Sequence, residues 1–379
     1  MNTKAMLVAI IVIAIVAVAF LVIPRDRDAE TIRVGALLPL SGDAAAWGIP
    51  PKEAAEMAVE ELNQAGGING HKLELLVRDT AGDPKTAVSA FQNLLATAPD
   101  VQAVIGAVAS SSTLAVAPVA ERRKIVLISP ASTNPKITTA GDFIFRNVPT
   151  DALRGRVFAE YVYSHAGVST VVILYVNNDA GVGNKDAFAR RFKELGGTVV
   201  GEEAYPQATR DVRTQLTNAK SLKPQALMVV SYPEDTVVVL KQAHELVPDL
   251  PLFFQAEAVE DPSVRQAAGA DLEGVTYILP AKAEGTAAET FLKAYEKRYG
   301  KQPELFAAEG YDCLRLITDA IRTNGGQVNA NDIRDYLYSV NTYDGASGVI
   351  TFDHNGDVIK PMAVKKVTNG EPIVVFTSQ

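Results

Sequence analysis

The chain has almost no cysteine. Cys313 is the only one in 379 residues, so an intrachain disulfide is excluded, and its place in an apolar pattern over residues 305–321 marks it as a buried structural thiol. Histidine is nearly as scarce. His71, His165, His244 and His354 are scattered, without metal-ligand spacing or a nucleophile partner. No G-x-S-x-G elbow occurs. Gly82-Asp83-Pro84-Lys85-Thr86 lacks the glycine before lysine that a phosphate loop needs. Gly66-Gly67-Ile68-Asn69-Gly70 follows a helical stretch and precedes a strand, the wrong order for a dinucleotide loop, and reads as a turn. Asp353, Asn355 and Asp357 imitate the start of a calcium loop, but Val358 and Val364 hold its sixth and twelfth positions, so a hairpin turn is expected. Hence no enzyme activity, metal or cofactor is expected. A basic excess is missing too. With 36 Lys and Arg against 44 Asp and Glu, the net charge of −8 argues against nucleic acid as a partner.

What is present is an ordered globular composition, 47% apolar and 21% charged. A chain this long buries a large core and usually divides in two. Every residue from Ala5 to Ile23 is apolar, about 28 Å of helix and close to the thickness of a bilayer core. Residues 1–30 are therefore expected to be either an export signal, with Ala17-Val18-Ala19 as a cleavage site, or an uncleaved membrane anchor. Both put the globular part in the periplasm or otherwise outside the cytoplasm. No cysteine in this segment is available for a lipid.

From Thr31 onward, strands and helices alternate with short punctuated links, the signature of an α/β fold with parallel sheets. The expected strands in the first half are 32–40, 72–78, ending near 106, 125–129 and 143–147. Its helices are 51–65, 84–95, with Asp83 as cap, and one opening at Ser110. Asp151 is expected to cap a helix over 152–165. The alternation then restarts with strands 170–176, 198–205, 226–231, 252–255 and 275–279 and helices 184–195, 212–219 and 234–246. Helices 287–299, 305–322 and 333–340, then strands 349–352, 362–367 and 372–376, complete the chain. Asn355-Gly356 signals a type I′ hairpin. Two α/β units with a ligand cleft between them account for this order.

The chemistry concentrates between Val104 and Pro135. A buried strand runs into Ser110-Ser111-Ser112-Thr113, and a second strand runs into Ala131-Ser132-Thr133. Parallel strands bring both loops to the same edge of the sheet. The first N–H groups of a helix are unpaired and carry the positive end of its dipole. Hydroxyls from Ser110 to Thr113 add donors without bulk. No Lys or Arg lies in this run, which suits a small carboxylate better than a polyphosphate. A plain capping role for Ser110 is the alternative.

The ordered motifs L-L-P-L-S-G-D, A-G-G-I-N-G, R-D-T-A-G-D-P, I-G-A-V-A-S-S-S-T, I-S-P-A-S-T-N-P, N-D-A-G-V-G and F-D-H-N-G-D cover nearly the whole chain after Glu30. Together they resemble the type I periplasmic binding proteins, in the leucine/isoleucine/valine-binding branch that serves ABC importers. The resemblance implies two Rossmann-like lobes, 31–149 with 282–359 and 150–281 with 360–379, joined by a three-crossing hinge near Pro149, Ala281 and Lys360. It implies a small-molecule ligand, an amino acid of aliphatic or branched-chain type, passed by a monomer to an ABC permease in the membrane. By the same resemblance Ser110, Ala131 and Thr133 hold the carboxylate and part of the amine, Glu257 binds the amine, and Trp47, Ala180 and Tyr232 wall the pocket. A zwitterion buried in a cleft needs both charges paired, which this set supplies. Ala180 stands where the family often has Tyr, which removes a wall and a hydroxyl, so the pocket is larger or the ligand different. The disulfide of some relatives cannot form, since Ala109 and residues 80–82 occupy its neighbourhood. The same fold also serves as a membrane-tethered ligand sensor or an amide- or carboxylate-binding domain.

Overall fold

The structure is a computed structural model. It describes residues 31–378 apart from 43 and 256, with Glu257 described in its backbone alone. The expected signal or anchor at residues 1–30 lies outside the described residues. Within them, no helix is long and apolar enough to cross a membrane.

The first sheet has five parallel strands: β1 (Ile32–Leu38), β2 (Leu73–Asp79), β3 (Ala103–Gly106), β4 (Val126–Ser129) and β5 (Ile144–Arg146), in the order β2-β1-β3-β4-β5. The links are the helices α1 (Ala45–Gln64), α2 (Pro84–Thr97) and α3 (Ser110–Arg123) and a 3₁₀ turn (Pro135–Thr139). Every residue of β3, β4 and β5 is buried, as expected of parallel strands covered by helices on both faces.

The second sheet contains β6 (Thr170–Val176), β7 (Thr198–Tyr205), β8 (Ala226–Val230), β9 (Leu252–Phe254), β10 (Thr276–Pro280), β13 (Met362–Thr368) and β14 (Glu371–Thr377). Its order is β14-β13-β10-β9-β8-β6-β7. Strands β6 to β10 are parallel, and β13 and β14 add an antiparallel edge. The covering helices are α4 (Asp151–Glu160), α5 (Asp179–Glu194), α6 (Arg213–Ser221), α7 (Pro233–Leu246) and α8 (Pro262–Ala268).

Three more helices, α9 (Thr286–Tyr299), α10 (Ala307–Thr323) and α11 (Ala330–Ser339), and the small ribbon β11 (Tyr343–Gly345) with β12 (Gly348–Ile350) follow β10. They return to the first sheet: Cys313, Leu314, Ile317, Ile333 and Leu337 share a core with Val34, Ile105 and Ile128. Cys313 is fully buried, and burial pushes its thiol well above the ordinary value, so it packs as an inert apolar group. Met362 and Val364 then join the core of the second sheet. The chain therefore passes between the sheets three times: after β5, after β10 and before β13. These passages bury a polar cluster. The Lys360 ammonium donates to Asn147 O (3.3 Å) and Ser347 Oγ (2.6 Å), while Asp312 accepts from the Ala346 and Ser347 amides, each at 2.7 Å.

Several boundaries differ from expectation. Helix α1 opens at Ala45 rather than residue 51 and carries Pro50 and Pro51 inside it. Neither proline has an N–H, so the carbonyls of Ala46 and Trp47 lose their helical partners. Thr150, not Asp151, caps α4, its Oγ1 accepting from Leu153 N at 3.0 Å. The expected continuous helix to residue 165 ends in a π-helical turn (Tyr161–His165). Asn178 caps α5 by accepting from Gly181 N at 2.9 Å, which starts the helix five residues early. The 353–356 turn is not type I′, since Gly356 alone has a positive φ there. The type I′ geometry falls instead on Asn369-Gly370, φ 54° and 77°, where it joins β13 to β14.

Candidate functional site

Each sheet has one place where neighbouring strands send their following helices in opposite directions. Ligands of open α/β sheets bind in the crevice beyond the strand ends at such points. In the first sheet it lies between β1 and β3, which lead to Trp47 and Ser110; in the second it lies between β6 and β8, which lead to Ala180 and Tyr232. The two points face each other. Together they line a cleft that encloses about 690 Å³ when the space open to solvent at its mouth is included, with Trp47, Ser110, Ala131 and Thr133 on one side and Ala180 and Tyr232 on the other. All six expected residues with described side chains thus meet in one place. The side chain of Glu257 lies outside the described residues; its backbone opens a 3₁₀ turn just after Gln255, which lines the cleft.

Close backbone approach sets the wall residues. A Cβ on Gly48 would meet Pro39 O at 1.9 Å, and one on Gly181 would meet Val176 O at 1.9 Å. Both helix starts therefore fold tightly over their strand ends, which brings Trp47 and Ala180 to the mouth. The lobes touch directly: the Trp47 and Tyr232 rings meet edge to face at 4.8 Å, and Asn134 Nδ2 donates to Asp179 O at 2.7 Å. Burial pushes the Tyr232 phenol up to about 12, partly offset by a hydrogen bond from Asn178. It is a neutral hydroxyl at neutral pH.

The hydroxyl run divides its labour. Ala109, not Ser110, is the N-cap of α3, and it supplies no side-chain cap. The helix thus opens towards the cleft with its first amides uncapped, and Ser110 Oγ accepts only a long bond from Asn134 N at 3.3 Å. The expectation that the whole run serves a ligand is corrected. Thr113 Oγ1 bonds Ala107 O (3.1 Å) and Ser132 Oγ (2.7 Å), and Ser132 Oγ bonds Val108 O (2.9 Å). These buried hydroxyls staple the two loops together. Thr133 Oγ1 donates to Asp151 Oδ2 at 2.9 Å, and Asp151 N returns a bond to Thr133 O at 2.8 Å. Its lone pairs remain for an incoming donor, while among the described residues its own N–H has no intramolecular partner.

A buried ion pair holds this loop. Arg146 Nε meets Asp357 Oδ1 at 2.5 Å, and its Nη1 donates to Asn134 O at 2.8 Å. Thr138 Oγ1 completes the cluster on Asp357 Oδ2 at 2.7 Å. The aspartate of the calcium-like stretch is thus a structural anchor for the binding loop.

Among the cleft residues that escaped the sequence reading are Arg154, Asn184 and Gln255, all buried. Arg154 had a signal, since a guanidinium falls on the same buried helical face as Asp151, Val157 and Phe158. Gln255 is the polar end of the apolar run Leu252–Phe254.

Two sheets whose switch points face each other across an uncapped helix start have the geometry of proteins that bind a ligand between two lobes. The comparisons with known proteins agree. The family model described as periplasmic binding protein matches residues 31–372, and the chain belongs to that family. The leucine-, isoleucine-, valine-, threonine- and alanine-binding protein of Pseudomonas aeruginosa is 26% identical over 332 residues, covering 87% of this chain and 88% of that one. A leucine-binding protein from Thermotoga maritima superposes with a TM-score of 0.83 at 29% identity, over 92% of this chain and 98% of that one. A branched-chain amino acid transporter substrate-binding protein from Streptococcus pneumoniae, solved with isoleucine, gives 0.79 at 27% identity, over 92% and 99%. The chain is accordingly a type I periplasmic binding protein, and it is similar to the substrate-binding proteins of branched-chain amino-acid transporters. It is an extracytoplasmic solute-binding protein for an ABC transporter, in a family of binders rather than enzymes.

Proposed function

We propose that the protein captures an amino acid of aliphatic or branched-chain size between its lobes and delivers it to the permease of an ABC importer. The observation that carries this reading is the meeting of both sheet switch points in one cleft, bridged by Trp47 and Tyr232 at 4.8 Å. The ligand carboxylate sits on the uncapped amides of α3, Ser110 and the Thr133 N–H. Its ammonium faces the lone pairs of Thr133 Oγ1, the carbonyl of Ala131 and the carboxylate of Glu257. Trp47, Tyr232 and the space left by Ala180 take the side chain.

The lobes of this reading are 31–149 with 282–359 and 150–281 with 360–379. Contacts to both favour the closed state by differential affinity. One chain supplies both walls, so a monomer suffices. Calorimetry with the common amino acids tests the reading. Ser110→Ala and Glu257→Gln should each weaken binding by about 1–3 kcal/mol, and unchanged affinity in both would sink the assignment.

A further inference from the structure

One wall of the cleft is built for a hydrogen bond that the protein itself does not make. Gln255 is 1% exposed, and its Oε1 has no partner. The orientation of its amide is fixed from outside. Asn184 Nδ2 donates to Ala180 O at 3.1 Å, which turns Asn184 Oδ1 towards Gln255. Gln255 Nε2 then donates to Asn184 Oδ1 at 3.0 Å and reaches Asn184 O at 3.3 Å. Flipping the Gln255 amide would set its oxygen against two acceptors. Its Oε1 is therefore the end of the amide that no protein donor meets, on a residue that lines the cleft, and a buried acceptor left unpaired is destabilising.

Building on the amino-acid reading above, we infer that Gln255 selects ligands whose side chain ends in a neutral O–H or N–H donor, a hydroxyl or a carboxamide, over hydrocarbon of the same size. Both groups also carry an acceptor oxygen. Arg154 lines the same cavity. Ala180, with a side chain of one methyl group, lines it beside Asn184. Sites that hydrogen-bond a substrate group reject the analogue lacking it far more strongly than apolar pockets reject a missing methylene.

The test is calorimetry on the intact protein with two isosteric pairs, threonine against valine and asparagine against leucine. In at least one pair the polar member should bind at least tenfold tighter. In Gln255→Met, of similar volume, the preference should fall below threefold. Valine and leucine binding as tightly as their polar partners in the unmutated protein would overturn the inference without touching the amino-acid reading, and that comparison needs no variant to fold. A polar preference that survives Gln255→Met would also overturn it. Silence from all four, with no response to any other amino acid, would overturn both.

Discussion

The contact between Trp47 and Tyr232 joins the lobes across the mouth of the cleft, which makes it the place to measure what closure contributes. Replacing each ring with leucine, singly and together, gives a double-mutant cycle on ligand affinity. Each single variant loses its own contacts with the ligand as well as the pair, and the cycle isolates the pair. Edge-to-face rings at 4.8 Å contribute about 0.5–1.5 kcal/mol beyond area burial, a factor of about two to twelve in Kd at 1.4 kcal/mol per decade. Because the pair forms only when the lobes meet, that energy appears in the closed population and hence in apparent affinity. Calorimetric Kd values for the four proteins supply the coupling. A coupling below about 0.3 kcal/mol, the scatter expected of independent sites, would refute the idea that this contact favours closure.

Other consequences are local. Asp357→Ala strips Arg146 of its buried partner, which should lower stability by about 3–5 kcal/mol in urea unfolding; an unmoved midpoint would show that the ion pair does not hold the loop. Burial, with the Glu234 charge beside it, pushes the Asp235 carboxyl up to about 6 from an ordinary 3.8. The folded state then binds that proton more tightly than the unfolded chain. Its contribution is complete below pH ~4 and lost as pH rises through ~6, so Asp235→Asn should flatten urea midpoints over that window, and an unchanged slope would contradict the assignment. Ala180→Tyr fills the cleft mouth and should weaken the largest ligands by about 1–3 kcal/mol, read as a reordered ligand ranking; an identical ranking would place residue 180 outside the contact surface.

Much of this architecture was legible in the chain. Buried parallel strands such as Thr170–Val176 are continuous apolar runs, and their ends fix where the cleft must lie. Helix starts were less legible, because they depend on side chains that reach back three residues. Asn178 captures Gly181 N and draws five loop residues into α5, and nothing in their hydropathy records it. The helix is expected from residue 51, whereas it opens at Ala45, where the close seat of Gly48 on Pro39 O supports the turn before Pro50 and Pro51. The serine run displayed its chemistry but not its division: which hydroxyl faces ligand and which faces Ala107 O depends on the angle at which α3 leaves β3. Arg154 and Gln255 reach the cleft from elements that sequence order separates by a hundred residues, and only the sheet order joins them.

Trp47 is the only tryptophan in the chain, so its emission reports the cleft without a label. A titration of the protein with the tightest-binding amino acid, followed by tryptophan fluorescence and calorimetry on one sample, is the most direct test of capture between the lobes. The account predicts a saturable change in Trp47 emission with the same midpoint as the heat. Heat that saturates while the emission stays flat would put the ligand elsewhere and contradict it.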